Sequence, residues 1–140
     1  MKHEVNSPSR RLPADPLSEL LGIRHRVAAE GRAVSNLSID GRHRNLFGAV
    51  HGAVIFAMAD VGMGHALASV LERNTRTASA SITANYMKAP IEGDLVAESV
   101  LVSRGRKLAT LQSEVRDGNG VLCALMTGIF YISGEQGRRE

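Results

Sequence analysis

The sequence predicts an α+β fold in which a curved antiparallel sheet wraps around one long helix. The first observation is that residues 51–74 form a helical pattern of about five turns, apolar on nearly every side. Such a helix must be covered on most of its faces. The second is a run of four strand candidates after it, and the third is a turn signal at each of 104–107 and 117–120. Consecutive hairpins predict an antiparallel meander whose apolar face covers the helix.

Two elements are predicted before the long helix. The first begins with Asp15 as a capping residue and has Pro16 in its first turn, which is typical of a short helix. This helix either ends near Gly22 or continues weakly to Gly31. The second is residues 31–40, where apolar and polar side chains alternate as in a strand with one exposed face.

The four strand candidates after the helix differ in character. Residues 75–90 are rich in Thr and Ser, 93–104 and 107–117 alternate, and 120–133 are almost continuously apolar. The Asp-Gly-Asn-Gly sequence before the last candidate is a strong hairpin signal, and Gly105 in the other turn can take a positive φ. We therefore expect all four strands to follow one another as neighbours in the sheet.

Length and composition predict one domain over residues 15–136, with a disordered tail at 1–14 and a short tail at 137–140. The single cysteine, Cys123, excludes an internal disulfide and fits a reducing, cytoplasmic compartment. Aromatic residues make up only 4% of the chain, which argues against the stacking platforms of single-stranded nucleic acid binders. The apolar run at 53–71 contains an aspartate, a histidine and two glycines, which indicates a buried helix and not a membrane span.

One carboxylate, Asp60, lies in the middle of the long apolar helix. It could face water, or be satisfied by an N–H group or an arginine. It could also be functional, because an ionised group among apolar residues is costly and buried carboxylates with a raised pKa often act as general bases. On the residues alone, both interpretations stay open.

The segment before the helix favours the functional interpretation. Gly48 and Gly52 let the backbone approach a ligand closely, and the first N–H groups of a helix can stabilise an oxyanion. A plain loop-to-helix turn would explain Gly52 equally well. Asp60 lies eight residues beyond Gly52, about 12 Å along a helix. If both act on one bond, they must come from different subunits, which predicts a symmetric dimer with two composite sites.

The spacing of these residues resembles a known family. Asn45, Gly48, His51 and Gly52 give the pattern N-x-x-G-x-x-H-G, and Asp60 follows the histidine by nine positions. This pattern is similar to that of the hotdog-fold acyl-CoA thioesterases of the PaaI-like group, within the 4-hydroxybenzoyl-CoA thioesterase class. The resemblance covers residues 32–132 and includes an aromatic-Met-x-Pro step, a Gly-Asp turn and the last two hairpin strands.

The resemblance implies hydrolysis of an acyl-CoA thioester to a free acid and CoA, with no metal or redox cofactor. By position, Asp60 would be the general base or nucleophile, and the Gly52 N–H would polarise the thioester carbonyl. His51 and Asn45 would position that carbonyl or the attacking water. Ser79 matches a position where members of the group carry an assisting hydroxyl.

This chain departs from the group's pattern at one position, because Ala53 stands where a second glycine is usual. Alanine keeps the N–H, so the departure bears on substrate preference more than on catalysis. In this fold, basic turn residues can meet CoA phosphates, which makes Arg104, Arg106 and Lys107 candidates. No histidine spacing indicates a metal site. The expected partners are the acyl-CoA substrate and further copies of the chain, as a dimer or tetramer, with no nucleic acid and no membrane.

Two other functions remain open at this point. A hotdog hydroxyacyl-thioester dehydratase also pairs a histidine with an acidic residue on the helix, which His51 and Asp60 superficially fit. A non-catalytic acyl-CoA sensor would need a DNA-binding segment, and residues 1–30 show no clear helix-turn-helix pattern. The acyl group itself, aryl or medium-chain, is left undefined by the sequence.

Overall fold

The computed structural model describes residues 15–135. The helices, strands and one 3-10 turn follow in chain order: α1 Pro16–Leu21, β1 Arg24–Ala29, β2 Arg32–Ser38, the 3-10 turn Gly41–His43, α2 Gly52–Ala68, β3 Thr75–Tyr86, β4 Asp94–Arg104, β5 Leu108–Asp117 and β6 Leu122–Glu135. The predicted tails at 1–14 and 137–140 lie outside the described residues. Within the described part, none of the helices has the length and apolar character needed to cross a membrane.

The six strands form one antiparallel sheet in the order β1-β2-β4-β5-β6-β3. Helix α2 packs on the inner face of this sheet, and its residues Met58, Met63 and Leu67 are fully buried there. The opposing core side chains come from alternate positions of the strands, such as Leu95 and Leu111. The predicted α+β fold, a curved sheet around one long helix, is confirmed.

The prediction that β3 belongs to the meander is wrong. Strands β4, β5 and β6 form the meander, but β3 lies beyond β6 and pairs with it, with Tyr86 opposite Ala124. The connection after β3 carries no tight-turn signal, and the N–H groups of Met87 and Lys88 both donate to the Cys123 carbonyl at 2.8 and 3.1 Å. These bonds fasten the start of the connection to β6. β3 is therefore an edge strand.

Of the two predicted ends of the first helix, the one near Gly22 is confirmed. Asp15 caps it, accepting the Ser18 N–H at 2.9 Å, and Gly22 ends it with a φ of 72°. The following residues form β1, which the sequence did not predict. A tight turn with Glu30 and Gly31 at φ of 54° and 78° joins β1 to β2, and two successive positive φ angles suit a two-residue hairpin.

The two predicted hairpin turns are both present, with different backbone conformations. Gly120 has a φ of 81°, as the Asp-Gly-Asn-Gly signal predicted. Gly105 does not use a positive φ, and its N–H donates to the Leu108 carbonyl at 2.8 Å. Helix α2 ends at Ala68, short of the predicted residue 74. Ser69 caps its end, donating to the Ala66 carbonyl and accepting the Gly31 N–H.

Candidate active site

The start of α2 is held in place by hydrogen bonds within its first turn and by one hydrogen bond to the preceding loop. His51 is the N-cap residue, and its Nδ1 accepts the Ala53 N–H at 3.1 Å while its carbonyl accepts the Val54 N–H at 3.0 Å. The His51 N–H donates to the His43 carbonyl at 2.7 Å. In residues 15–135, no acceptor takes the Gly52 N–H. This N–H is therefore available to a ligand at the positive end of the helix dipole.

Asn45 organises the loop that leads into α2. Its Oδ1 accepts the N–H groups of Phe47 and Ala49 at 2.9 and 3.2 Å, and its own N–H donates to the Ala49 carbonyl at 2.7 Å. Gly48 closes this loop with a φ of 82°. The Asn45 carboxamide oxygen is thus occupied by the loop, which leaves its NH2 group as the part that can face a ligand.

Tyr86, which sequence reasoning did not select, contacts Gly52 directly. Its hydroxyl donates to the Gly52 carbonyl at 3.0 Å, and a side-chain carbon added to Gly52 would lie 3.4 Å from the phenol ring. The two residues share a pocket of about 340 Å³. The residues that line this pocket are Asn45, Val50, Gly52, Ile55, Tyr86, Met87, Lys88 and Ala89. The only sequence signal for Tyr86 was the aromatic-Met-x-Pro step.

Asp60 lies half-buried in the middle of α2. Burial raises the pKa of its carboxyl group above the ordinary value, although a side-chain hydrogen bond with Ser79 acts in the opposite direction. Ser79 pairs with the buried Phe130, so its side chain faces the helix. A bulge then shifts the register, and Ser81 pairs with the exposed Ile129 on the outer face. The structure therefore brings Ser79, and not Ser81, to Asp60.

Within one chain the predicted residues form two separate groups. Asn45 and Gly52 lie at the pocket beside the start of α2, with His51 capping that helix. Asp60 and Ser79 do not line this pocket, because Asp60 is eight residues further along the helix, about 12 Å away.

The three basic residues of the β4–β5 turn lie at the opposite end of α2. Arg104 donates to the Val70 carbonyl at 3.1 Å, just beyond the last turn of the helix. Arg106 and Lys107 are exposed. Since α2 has 17 residues, this turn is separated from Gly52 of the same chain by about 25 Å of helix. The single chain does not bring these side chains to the pocket.

His65 of α2 packs edge-on against His25 of β1, with their ring centroids 4.3 Å apart. Burial, together with the neighbouring His25, lowers the pKa of His65 to about 4, so the ring is neutral at pH 7. His25 Nε2 lies 3.0 Å from the Ser18 hydroxyl, which donates to Asp15 at 2.6 Å. This polar cluster joins α1, β1 and α2.

Side chains of the metal-binding types do not assemble in groups of three or more anywhere in residues 15–135. The independence of the reaction from metals and other cofactors stays a prediction.

A six-stranded antiparallel sheet wrapped around one long helix is the hotdog architecture. The family model described as "Thioesterase superfamily" matches residues 47–124, which is more than half of the chain and includes both groups of site residues except Asn45. The chain belongs to the thioesterase superfamily, and it is by class a thioester hydrolase.

Individual relatives agree with this assignment. A protein of Archaeoglobus fulgidus, described only provisionally as an esterase, is 37% identical over 122 residues, covering 86% of this chain and 77% of the relative. The phenylacetic acid degradation protein PaaI of Thermus thermophilus is 30% identical, with a TM-score of 0.77 over 84% of this chain and 98% of that one. A hypothetical thioesterase of Streptococcus pneumoniae, solved with coenzyme A, shares the fold: its TM-score is 0.75 at 18% identity, over 82% of this chain and 88% of that one.

Proposed function

We propose that the protein is an acyl-CoA thioesterase that works as a symmetric dimer with two composite active sites. Asp60 and Ser79 of one subunit would face Gly52, His51 and Asn45 of the other. The observation that carries this proposal is the separation, on one helix, of a carboxylate with a raised pKa from an unpartnered N–H group. Two antiparallel copies of α2, side by side, would bring the start of one near the middle of the other.

The proposed chemistry needs few groups because a thioester carbonyl is already electrophilic. The Gly52 N–H donates to the carbonyl oxygen and stabilises the negative charge that develops there. Asp60 either removes a proton from the attacking water or attacks the carbonyl carbon itself. The carbon–sulfur bond then breaks, and the CoA thiolate leaves and takes up a proton. If Asp60 is the nucleophile, the acyl group is then held as an anhydride on its carboxylate, and water hydrolyses that anhydride to release the free acid and restore Asp60. Ser79 supports the ionised form of Asp60 throughout.

The CoA part of the substrate is supported by the coenzyme bound to the S. pneumoniae protein. Arg104, Arg106 and Lys107 remain the candidates for its phosphates, now offered to a site of the partner subunit. We expect the double substitution Arg106→Ala with Lys107→Ala to raise KM for an acyl-CoA about fivefold, with kcat within twofold. The matched comparison is a thioester that lacks the nucleotide. If KM changes equally for both esters, these residues do not bind the CoA phosphates.

The composite site is tested by mixing two inactive subunits. Gly52→Pro removes the N–H and adds ring carbons beside Tyr86. The start of the helix should survive, because proline is tolerated at the first position of a helix and His51 before it is extended, with ψ of 132°. Asp60→Asn removes the carboxylate without changing its size. Each variant alone should lose about 100-fold or more in thiol release from aryl- and alkyl-CoA esters.

Co-expression of the two variants should restore about a quarter of wild-type activity, because half of the dimers then contain one intact site. Gly52→Ala keeps the N–H and serves as the control, with most of its activity retained. Heterodimers that form but stay inactive would contradict the composite site. Full activity of Asp60→Asn would contradict the proposed role of the carboxylate.

A further inference from the structure

A chain of hydrogen bonds runs from Tyr86 to His51 across one peptide group. The Tyr86 hydroxyl donates to the Gly52 carbonyl at 3.0 Å. The N–H of the same peptide group, on Ala53, donates to His51 Nδ1 at 3.1 Å. A peptide that accepts at its oxygen becomes a stronger donor at its nitrogen, because successive hydrogen bonds polarise one another. The phenol and the imidazole are therefore coupled through the first turn of α2.

These hydrogen bonds require one tautomer of the His51 ring and the protonated form of the Tyr86 hydroxyl. Since Nδ1 accepts a hydrogen bond, the proton of a neutral His51 ring must be on Nε2, which is then a donor. Burial raises the pKa of the Tyr86 phenol, so the hydroxyl stays protonated and donates. A neutral His51 ring thus carries its proton on Nε2, and Tyr86 keeps the hydroxyl proton that it donates to Gly52.

Tyr86 is itself held by the sheet. It is the last residue of β3 and pairs with Ala124 of β6, and the N–H groups of the next two residues both donate to the Cys123 carbonyl. Its ring lies against Gly52, where the missing side chain leaves room for it. The sheet thus sets the position of the phenol, and the phenol fixes the peptide at the helix start.

We propose that Tyr86 is a positioning residue that aims the Gly52 N–H and holds His51 in its Nε2–H tautomer. Its effect on rate rests on the proposed thioesterase function, whereas its effect on His51 does not. The hydroxyl acts through Gly52 and Ala53, so losing it should weaken transition-state stabilisation more than substrate binding.

The test compares Tyr86→Phe with Tyr131→Phe in the full-length oligomer. The chain has two tyrosines, and Tyr131 lies on the outer face of β6, so its hydroxyl serves as the matched control. We expect Tyr86→Phe to lower kcat for the best ester about five- to tenfold, with KM within about twofold. The ¹⁵N spectrum of the His51 ring should change from one Nε2–H tautomer to a mixture.

Phenylalanine keeps the ring that packs on Gly52, so folding should survive, as circular dichroism would verify. Tyr86→Phe that matches Tyr131→Phe in both kcat and the His51 spectrum would overturn the inference. If the wild-type protein hydrolyses no thioester, the proposed function fails. The ¹⁵N spectrum then decides alone: an unchanged His51 tautomer overturns the role of Tyr86, and a mixture supports it.

Discussion

The two edges of the sheet are built differently. β1 has six residues, a bulge between His25 and Val27, and the charged side chains Arg24 and Arg26. β3 has twelve residues, and its sequence from Thr77 to Tyr86 contains no charge. Short length, bulges and charges are the devices that keep an edge strand from pairing with another chain. Only β1 combines all three, so β3 is the edge open to a second copy.

The two edge strands also differ in what their side chains do: β3 carries residues of the candidate site, whereas β1 carries a residue of the packing between helices. β3 carries Ser79, which lowers the pKa of Asp60, and Tyr86, whose hydroxyl donates to the Gly52 carbonyl. β1 carries His25, whose polar contacts serve the packing of α1 and α2. Pairing at β3 would therefore join two copies through the strand that supports both parts of the proposed site.

Charges on β3 should have the largest effect. Ala78 and Thr83 are exposed residues of this edge strand. If two copies pair through this strand, as the proposed dimer would, replacing both residues with Lys places like charges near each other. We expect a monomer by light scattering and a loss of about 100-fold or more in turnover. The control puts Lys at Val27 and Ala29 of β1, which should leave mass and activity unchanged. A monomer with full activity would show that one chain suffices.

Removing the Ser79 hydroxyl should have an intermediate effect. Ser79→Ala should lower kcat about tenfold, since a hydrogen bond to a charged group is lost. The bond lowers the pKa of Asp60, so its removal should raise that pKa further. The rate falls with decreasing pH as the carboxylate is protonated, and this acid limb should move to higher pH. Ser81→Ala, on the other side of the bulge, should leave the pH profile as it was. If Ser81→Ala shifts the acid limb as much as Ser79→Ala does, the proposed effect of Ser79 on Asp60 is wrong.

The β1 side should affect stability without affecting turnover. His65 has a pKa of about 4 in the folded chain and about 6.5 when unfolded, so the unfolded state binds more protons between these values. The folded state should thus lose about 2 kcal/mol as pH falls from 6.5 to 4, after allowance for partial exposure of the ring. Asp15 and the imidazole of His25 face the same cluster.

Urea unfolding at pH 7.5 and 4.5 measures this loss, and His65→Leu should show a smaller one. Turnover of His65→Leu at pH 7.5 should equal that of wild type. A variant with the same pH dependence of stability as wild type would place the acid-sensitive group elsewhere.

Local patterns predicted the parts of the fold that depend on local physics. The all-apolar α2, the alternation in β4 and β5 and the Gly120 turn need only neighbouring residues to specify them. The place of β3 beside β6 depends on pairing between distant segments, which no turn signal marks. β1 was missed because its polar residues hide the alternation, and the Glu30–Gly31 turn is not one of the usual hairpin pairs.

The candidate site shows the same limit. The spacing of His51, Gly52 and Asp60 predicted candidate residue types and a second subunit, because distance along a helix can be computed from sequence. Both stay predictions. Tyr86 could not be found this way, since its partner Gly52 lies 34 residues away in the chain and meets it only in the folded sheet.

The contact between Tyr86 and Gly52 has a practical consequence for spectroscopy. The chain contains no tryptophan, so its near-ultraviolet emission comes from two tyrosines. Replacing Tyr131 with Phe leaves a single fluorophore, placed against the helix start that would receive the thioester. The emission of that one phenol is then an intrinsic reporter of ligand arrival, and stopped-flow fluorescence could time binding separately from hydrolysis without an attached dye.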